Sequence, residues 1–115
     1  MNAAPNTANA PQPGDVTGNL RQMIAVLEEE RQALASLDTD ALTCSTHAKE
    51  ALCDALMPVA AGDLNAETRA LAETAQQLNE VNRRVRNLLA ANVAARLEAL
   101  GGTPATYTPA HFASA

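Results

Sequence analysis

The chain has 115 residues, a formal net charge of −5, and only one Tyr and one Phe as aromatic side chains. This length fits one domain, and so few aromatic residues leave a β-sheet without its usual core. An acidic total argues against nucleic-acid binding, which needs a basic surface to neutralise phosphates. Ala, Leu, Glu, Gln and Arg favour helices, so we expect an all-α protein.

The first 15 residues contain three prolines and no hydrophobic period, which predicts a disordered leader. A helix should begin between Asp15 and Asn19, whose side chains can accept from unpaired backbone amides. Residues 28–30 form an acidic run that we interpret as a solvated face. The heptad spacing of this helix predicts a seam of Leu20, Ile24, Leu27, Arg31 and Leu34, widened by Met23 and Val26.

Residues 37–40 are either a break or a continuation of this helix. Asp38 or Thr39 could cap a new helix, but the segment contains neither Gly nor Pro. A continuation would give an elongated antiparallel helical hairpin, and a break would give a three-helix bundle, both with coiled-coil packing. Pro58 should stop the helix. The seam in this part is predicted to contain Leu42, Lys49, Leu52 or Cys53, and Leu56.

A long helix is predicted from about residue 65, capped by Asp63 or Asn65, to the Gly pair that follows Leu100. Residues 16–102 would then form the helical domain. The remaining residues, 103–115, contain two prolines and no period, and we expect an extended or mobile tail.

No arrangement of side chains predicts catalysis or a bound cofactor. Cys44 and Cys53 should lie about 13 Å apart on opposite faces of one helix, which excludes a disulfide and predicts buried or half-buried thiols. Cys44 and His47 provide two metal ligands where a structural zinc site needs four. Ser45 has no oxyanion site nearby, and no Gly-rich phosphate loop is present. We therefore expect no enzyme, no metal and no cofactor.

The last helix carries more apolar surface than one partner helix needs. At 100° per residue, its apolar side chains from Leu78 onward cover an arc of about 180°, whereas a core-facing helix needs about 100° or somewhat more. Asn82, Asn92 and Arg96 fall in the same arc. They could fix the register of packing or leave donors for a partner. The excess surface could be covered by the same chain, by a second copy, or by another protein.

The layout resembles the FlgN-type flagellar export chaperones over about residues 20–110. The resemblance rests on the order and spacing of several segments. These are residues 27–34 (LEEERQAL), 38–42 (DTDAL), Lys49, Leu52, Leu56, 78–82 (LNEVN), Leu88-Leu89, 97–100 (LEAL) and Ala105-Thr106-Tyr107. The sequence departs from the family at Thr108, where Gly usually follows the Tyr, and at Ala48, where Glu often precedes the Lys.

The resemblance implies a cytoplasmic type III export chaperone that binds the C-terminal helical segment of hook-associated proteins and prevents their premature assembly. Export-apparatus components are further partners to consider, and the alternative is a self-associating coiled-coil scaffold or regulator. A cytoplasmic location also agrees with the lack of an apolar span or a secretory-signal pattern, and no membrane insertion is expected. Carried over, the partner-binding candidates are Val85, Leu88, Leu89, Val93, Leu97, Leu100 and Tyr107.

Overall fold

The computed structural model describes residues 10–12 and 14–101, and in this part of the chain it contains three α-helices and no strand. We number them α1 (Val16–Ser36), α2 (Thr39–Leu56) and α3 (Ala66–Gly101), and a short 3-10 turn (Ala61–Asp63) precedes α3. The all-α prediction is confirmed, and the three-helix alternative is the observed one. The predicted tail and residues 1–9 of the predicted leader lie outside the described residues.

The helix is interrupted between α1 and α2 although no glycine is present there. Leu37 adopts the left-handed conformation (φ 56°, ψ 41°), and its N–H donates to the carbonyl of Leu34 at 3.3 Å. The next N–H, of Asp38, donates to the carbonyl of Ala33 at 2.9 Å, which completes a Schellman motif. Asp38 also caps α2, since its Oδ1 accepts from the Ala41 N–H at 3.1 Å. Two residues therefore reverse the chain, and α1 and α2 pack as an antiparallel hairpin.

The other helix ends follow ordinary capping chemistry. Asp15 caps α1 by accepting from the Gly18 N–H at 2.9 Å, as predicted. α2 ends at Leu56, two residues before Pro58. Of the two predicted caps of α3, Asn65 fills that position: its Oδ1 accepts from the Thr68 N–H at 2.8 Å.

The three helices share one small apolar core in residues up to Arg83. α1 contributes Met23 and Leu27, α2 contributes Leu52, and α3 contributes Ala75. The side chains of Ile24, Val26, Leu56 and Leu78 pack around these four. Arg31, predicted in the seam, is exposed, and Leu52 rather than Cys53 occupies the α2 position that the spacing left open.

A polar cluster within this core joins all three helices. Glu30 of α1 is only 1% exposed, so placing it on a solvated face was wrong. Its carboxylate lies 3.4 Å from Lys49 Nζ of α2 and accepts from Asn82 Nδ2 of α3 at 2.9 Å. Lys49 also donates to Asn79 Oδ1 at 2.9 Å. Because a buried charge is costly unless it is paired, these contacts are what make a carboxylate tolerable here.

α3 runs in the same direction as α1 through this core. Arg21 pairs with Glu67 at 2.7 Å, and further along both helices Asn82 Nδ2 donates to the carbonyl of Leu27 at 2.8 Å. The order of these pairs along the two helices gives the parallel orientation. Since α2 is antiparallel to α1, the three helices alternate in direction along the chain.

Both cysteines are free, and both are exposed. The expectation that Cys44 and Cys53 would be buried or half-buried thiols was therefore wrong. The prediction that the two thiols do not bridge is confirmed.

The chain divides into two compact units, Met1–Arg83 and Arg84–Ala115. The core and the polar cluster described above belong to the first unit. The described part of the second unit is residues 84–101, which are helical throughout as the continuation of α3. None of the described helices combines the length and apolarity needed to cross a bilayer.

Candidate partner-binding surface

Six of the seven sequence-predicted site residues lie in residues 84–101, and we call them the apolar stripe. Its members are Val85, Leu88, Leu89, Val93, Leu97 and Leu100. The seventh candidate, Tyr107, lies outside the described residues. The stripe follows one broad side of the helix and extends over about 22 Å from Val85 to Leu100, by the helical rise of 1.5 Å per residue.

Most of the stripe is open to solvent. Leu88, Val93, Leu97 and Leu100 are 67%, 54%, 63% and 85% exposed, and the other two members are half-buried. No described residue from 84 to 101 reaches full burial. Exposed Leu and Val side chains at this density on one helix are typical of an interaction surface rather than of a monomer surface.

Two asparagines ten positions apart on α3 differ in burial and in their contacts. Asn82 is fully buried and donates to Leu27 and Glu30 of α1, so it contributes to packing within the chain. Asn92 is exposed, as is Arg96, and both fall within the arc of the stripe. The two roles weighed for polar residues in this arc thus separate: the register role fits Asn82, and Asn92 and Arg96 remain accessible to a partner.

The stripe lies on a cationic segment. Residues 84–101 contain three arginines and one glutamate, a net charge of +2. Just before them, Arg83 pairs with Glu80 at 2.6 Å, and hydrogen bonding to that carboxylate raises the pKa of Arg83 above its ordinary value.

A second surface, which sequence analysis did not find, is a groove of about 950 Å³ between α1 and α2. Eight of its fifteen lining residues are Ala, Ser or Cys, including Cys44, and α1 lines it from Gln22 to Ser36. We call it the α1/α2 groove. The signal in the sequence is the 3–4 spacing of small residues at positions 41, 44, 45, 48 and 51.

The described residues present two surfaces suited to recognition of another chain. Among them, no group of three His, Cys, Asp or Glu side chains could hold a metal ion. They present a long apolar stripe on a helical segment of net positive charge, and a groove lined by small side chains. Both surfaces suit an amphipathic helix as the bound element.

Comparisons with known proteins give no relative: no protein-family model, no curated protein and no solved structure matches the chain.

Proposed function

We propose that the protein is a cytoplasmic chaperone of type III flagellar export. In this proposal it is not an enzyme, and it binds the C-terminal helical segment of hook-associated proteins through the apolar stripe. The sequence resemblance to FlgN-type chaperones supports the choice of client. The observation that carries the proposal is the solvent exposure of the stripe from Leu88 to Leu100.

Binding a client helix would remove this apolar surface from water. Fully burying one Leu or Val side chain contributes about 1.5–3 kcal/mol, so the four exposed members would together contribute at most about 6–12 kcal/mol to binding. Part of that energy is offset by ordering the client. A client segment that is disordered before binding can lay an amphipathic helix along the stripe, with anchors at i, i+3 or i+4, and i+7.

The dimensions and charge of the stripe define the client segment. A stripe of about 22 Å matches about 15 residues of helix, or four turns. The net charge of +2 on residues 84–101 favours acidic side chains beside the apolar face of the client. Covering that face of the client would prevent it from pairing with other subunits before export.

The test is binding of a purified hook-associated protein by the double variant Leu89→Asp, Val93→Asp. We expect the wild-type chain to form a stable complex and the double variant to lose it, because two carboxylates would be buried without partners. Isothermal titration calorimetry measures the affinity, and circular dichroism at 222 nm checks that helicity survives.

A matched control is Met57→Asp. Met57 is 76% exposed and apolar but lies outside the stripe, so this variant should bind like the wild type. If the double variant binds the client as tightly as the wild type does, the stripe is not the client site.

The alternative function is a self-associating coiled-coil scaffold, and the same exposed stripe is the observation that favours it. Light scattering distinguishes the two. A tight dimer that does not change with concentration and recruits no client would support the scaffold. A chain that forms a complex with a hook-associated protein would support the chaperone.

A further inference from the structure

The α1/α2 groove has the length of the apolar stripe. Its α1 wall, from Gln22 to Ser36, measures about 21 Å by the helical rise, and the stripe measures about 22 Å. The small side chains that line the groove permit another helix to approach closely, because the distance between packed helices is set by the side chains at the contact. Large Leu and Val side chains are the natural complement of such a lining.

The groove and the stripe also carry opposite charge. Glu29 and Asp38 line the groove, and no Lys or Arg is found among its described lining residues. Residues 84–101 carry a net charge of +2, with Arg96 exposed within the arc of the stripe. Opposite charges at the edges of an apolar contact favour the correct pairing and speed its formation.

We infer that the α1/α2 groove of one copy binds the apolar stripe of a second copy when no client is present. The matching length, the complementary side-chain size and the opposite charge all select this chain's own helix as the occupant. The inference goes beyond client binding, because it concerns the client-free protein.

The native cysteines provide a direct test by disulfide cross-linking. Cys44 lines the groove, whereas Cys53 is also exposed but does not line it. The first chain in the cross-linking reaction is therefore the variant Cys53→Ser, which keeps only the groove thiol Cys44. Its matched control is the variant Cys44→Ser, which keeps only Cys53. The second partner lacks both native cysteines and carries a new thiol in the arc of the stripe, from Asn92→Cys or Ala99→Cys. Neither substitution removes an apolar member of the stripe.

We expect mixing and mild oxidation to join the Cys44 chain to at least one stripe-thiol chain, with at least about tenfold more product than the Cys53 chain gives. Non-reducing electrophoresis with partners of different mass identifies the pair. Equal yields from Cys44 and Cys53 would overturn the inference. Product joining only two stripe thiols would also overturn it, because the stripes would then pair with each other instead of with the groove.

A pair of charge reversals tests the same contact without new thiols. Glu29→Lys alters a groove residue, and Glu28→Lys makes the identical charge change one position away, outside the groove. Sedimentation velocity of the client-free protein should show association weakened about tenfold or more by Glu29→Lys and unchanged by Glu28→Lys. Equal effects would mean that only net charge matters, and a wild type that stays monomeric at every concentration would also refute the inference. Neither result depends on whether a client binds.

Discussion

Leu37 adopts a backbone conformation that suits glycine. A left-handed conformation costs a non-glycine residue about 1–2 kcal/mol, and Leu37 recovers little by burial because it is 65% exposed. The sequence left this break open because Gly, the usual signal at a helix end, is absent. The capping side chain of Asp38 and the Schellman bonds decide it instead.

Replacing Leu37 by Gly should stabilise the protein. Relief of about 1–2 kcal/mol of strain is partly offset by the greater freedom of Gly in the unfolded chain, roughly 0.5–1 kcal/mol, so we expect a net gain of up to about 1.5 kcal/mol. Urea denaturation measures it. Leu37→Ala is the control, since Ala keeps the strained conformation and should not be more stable than the wild type.

Glu30 and Arg31 show how the spacing was misassigned at the scale of single residues. Met23, Leu27, Glu30 and Leu34 follow one another at intervals of 4, 3 and 4, so a buried position at Glu30 fits the heptad better than Arg31 does. The charge of residues 28–30 obscured that register. The partners of Glu30 are Lys49 and Asn82, which lie 19 and 52 positions away in the sequence, and local patterns do not predict pairs at such distance.

At the scale of the element, α3 has two kinds of surface along its length. Thr68, Ala75 and Asn82, at intervals of seven, are its buried residues, and from residue 84 onward no described residue is buried. The angular pattern did predict excess apolar surface after Leu78, because a wide apolar arc is a local property of sequence. It did not predict the α1/α2 groove, which exists only because two helices pack.

Truncating a leucine to alanine should therefore change the free energy of unfolding very little in the second unit and strongly in the first. Leu97→Ala removes an exposed side chain and should change the free energy of unfolding by no more than about 0.5 kcal/mol. Leu27→Ala, at 1% exposure in the core, should cost about 2–5 kcal/mol. Thermal denaturation at low protein concentration compares them, and a large loss with Leu97→Ala would mean that the stripe packs within its own chain.

At the scale of the whole molecule, the polar cluster makes the three helices depend on one another. Asn82 binds both a backbone carbonyl and a carboxylate of α1, and that carboxylate is also paired with Lys49 of α2. Losing the Asn82 side chain would leave Glu30 buried with fewer partners. Because a buried charge needs all its contacts, the cost should exceed that of one ordinary hydrogen bond.

We expect Asn82→Ala to lower the free energy of unfolding by about 2–4 kcal/mol, the range for removing hydrogen bonds to a buried charged group. Asn92→Ala is the matched control, because it changes the same residue type on the same helix at an exposed position and should stay within about 0.5 kcal/mol. Chemical denaturation of both variants provides the comparison. Similar losses would show that the Asn82 contacts contribute nothing specific.

The two-residue reversal at Leu37 and Asp38 has a kinetic consequence. α1 and α2 can meet after closing a very short loop, whereas the contact between Asn82 and Leu27 spans 55 positions. Loop-closure entropy rises with that span, and local contacts form faster than distant ones. The α1–α2 hairpin should therefore nucleate folding, and the α1/α2 groove would exist before α3 has docked.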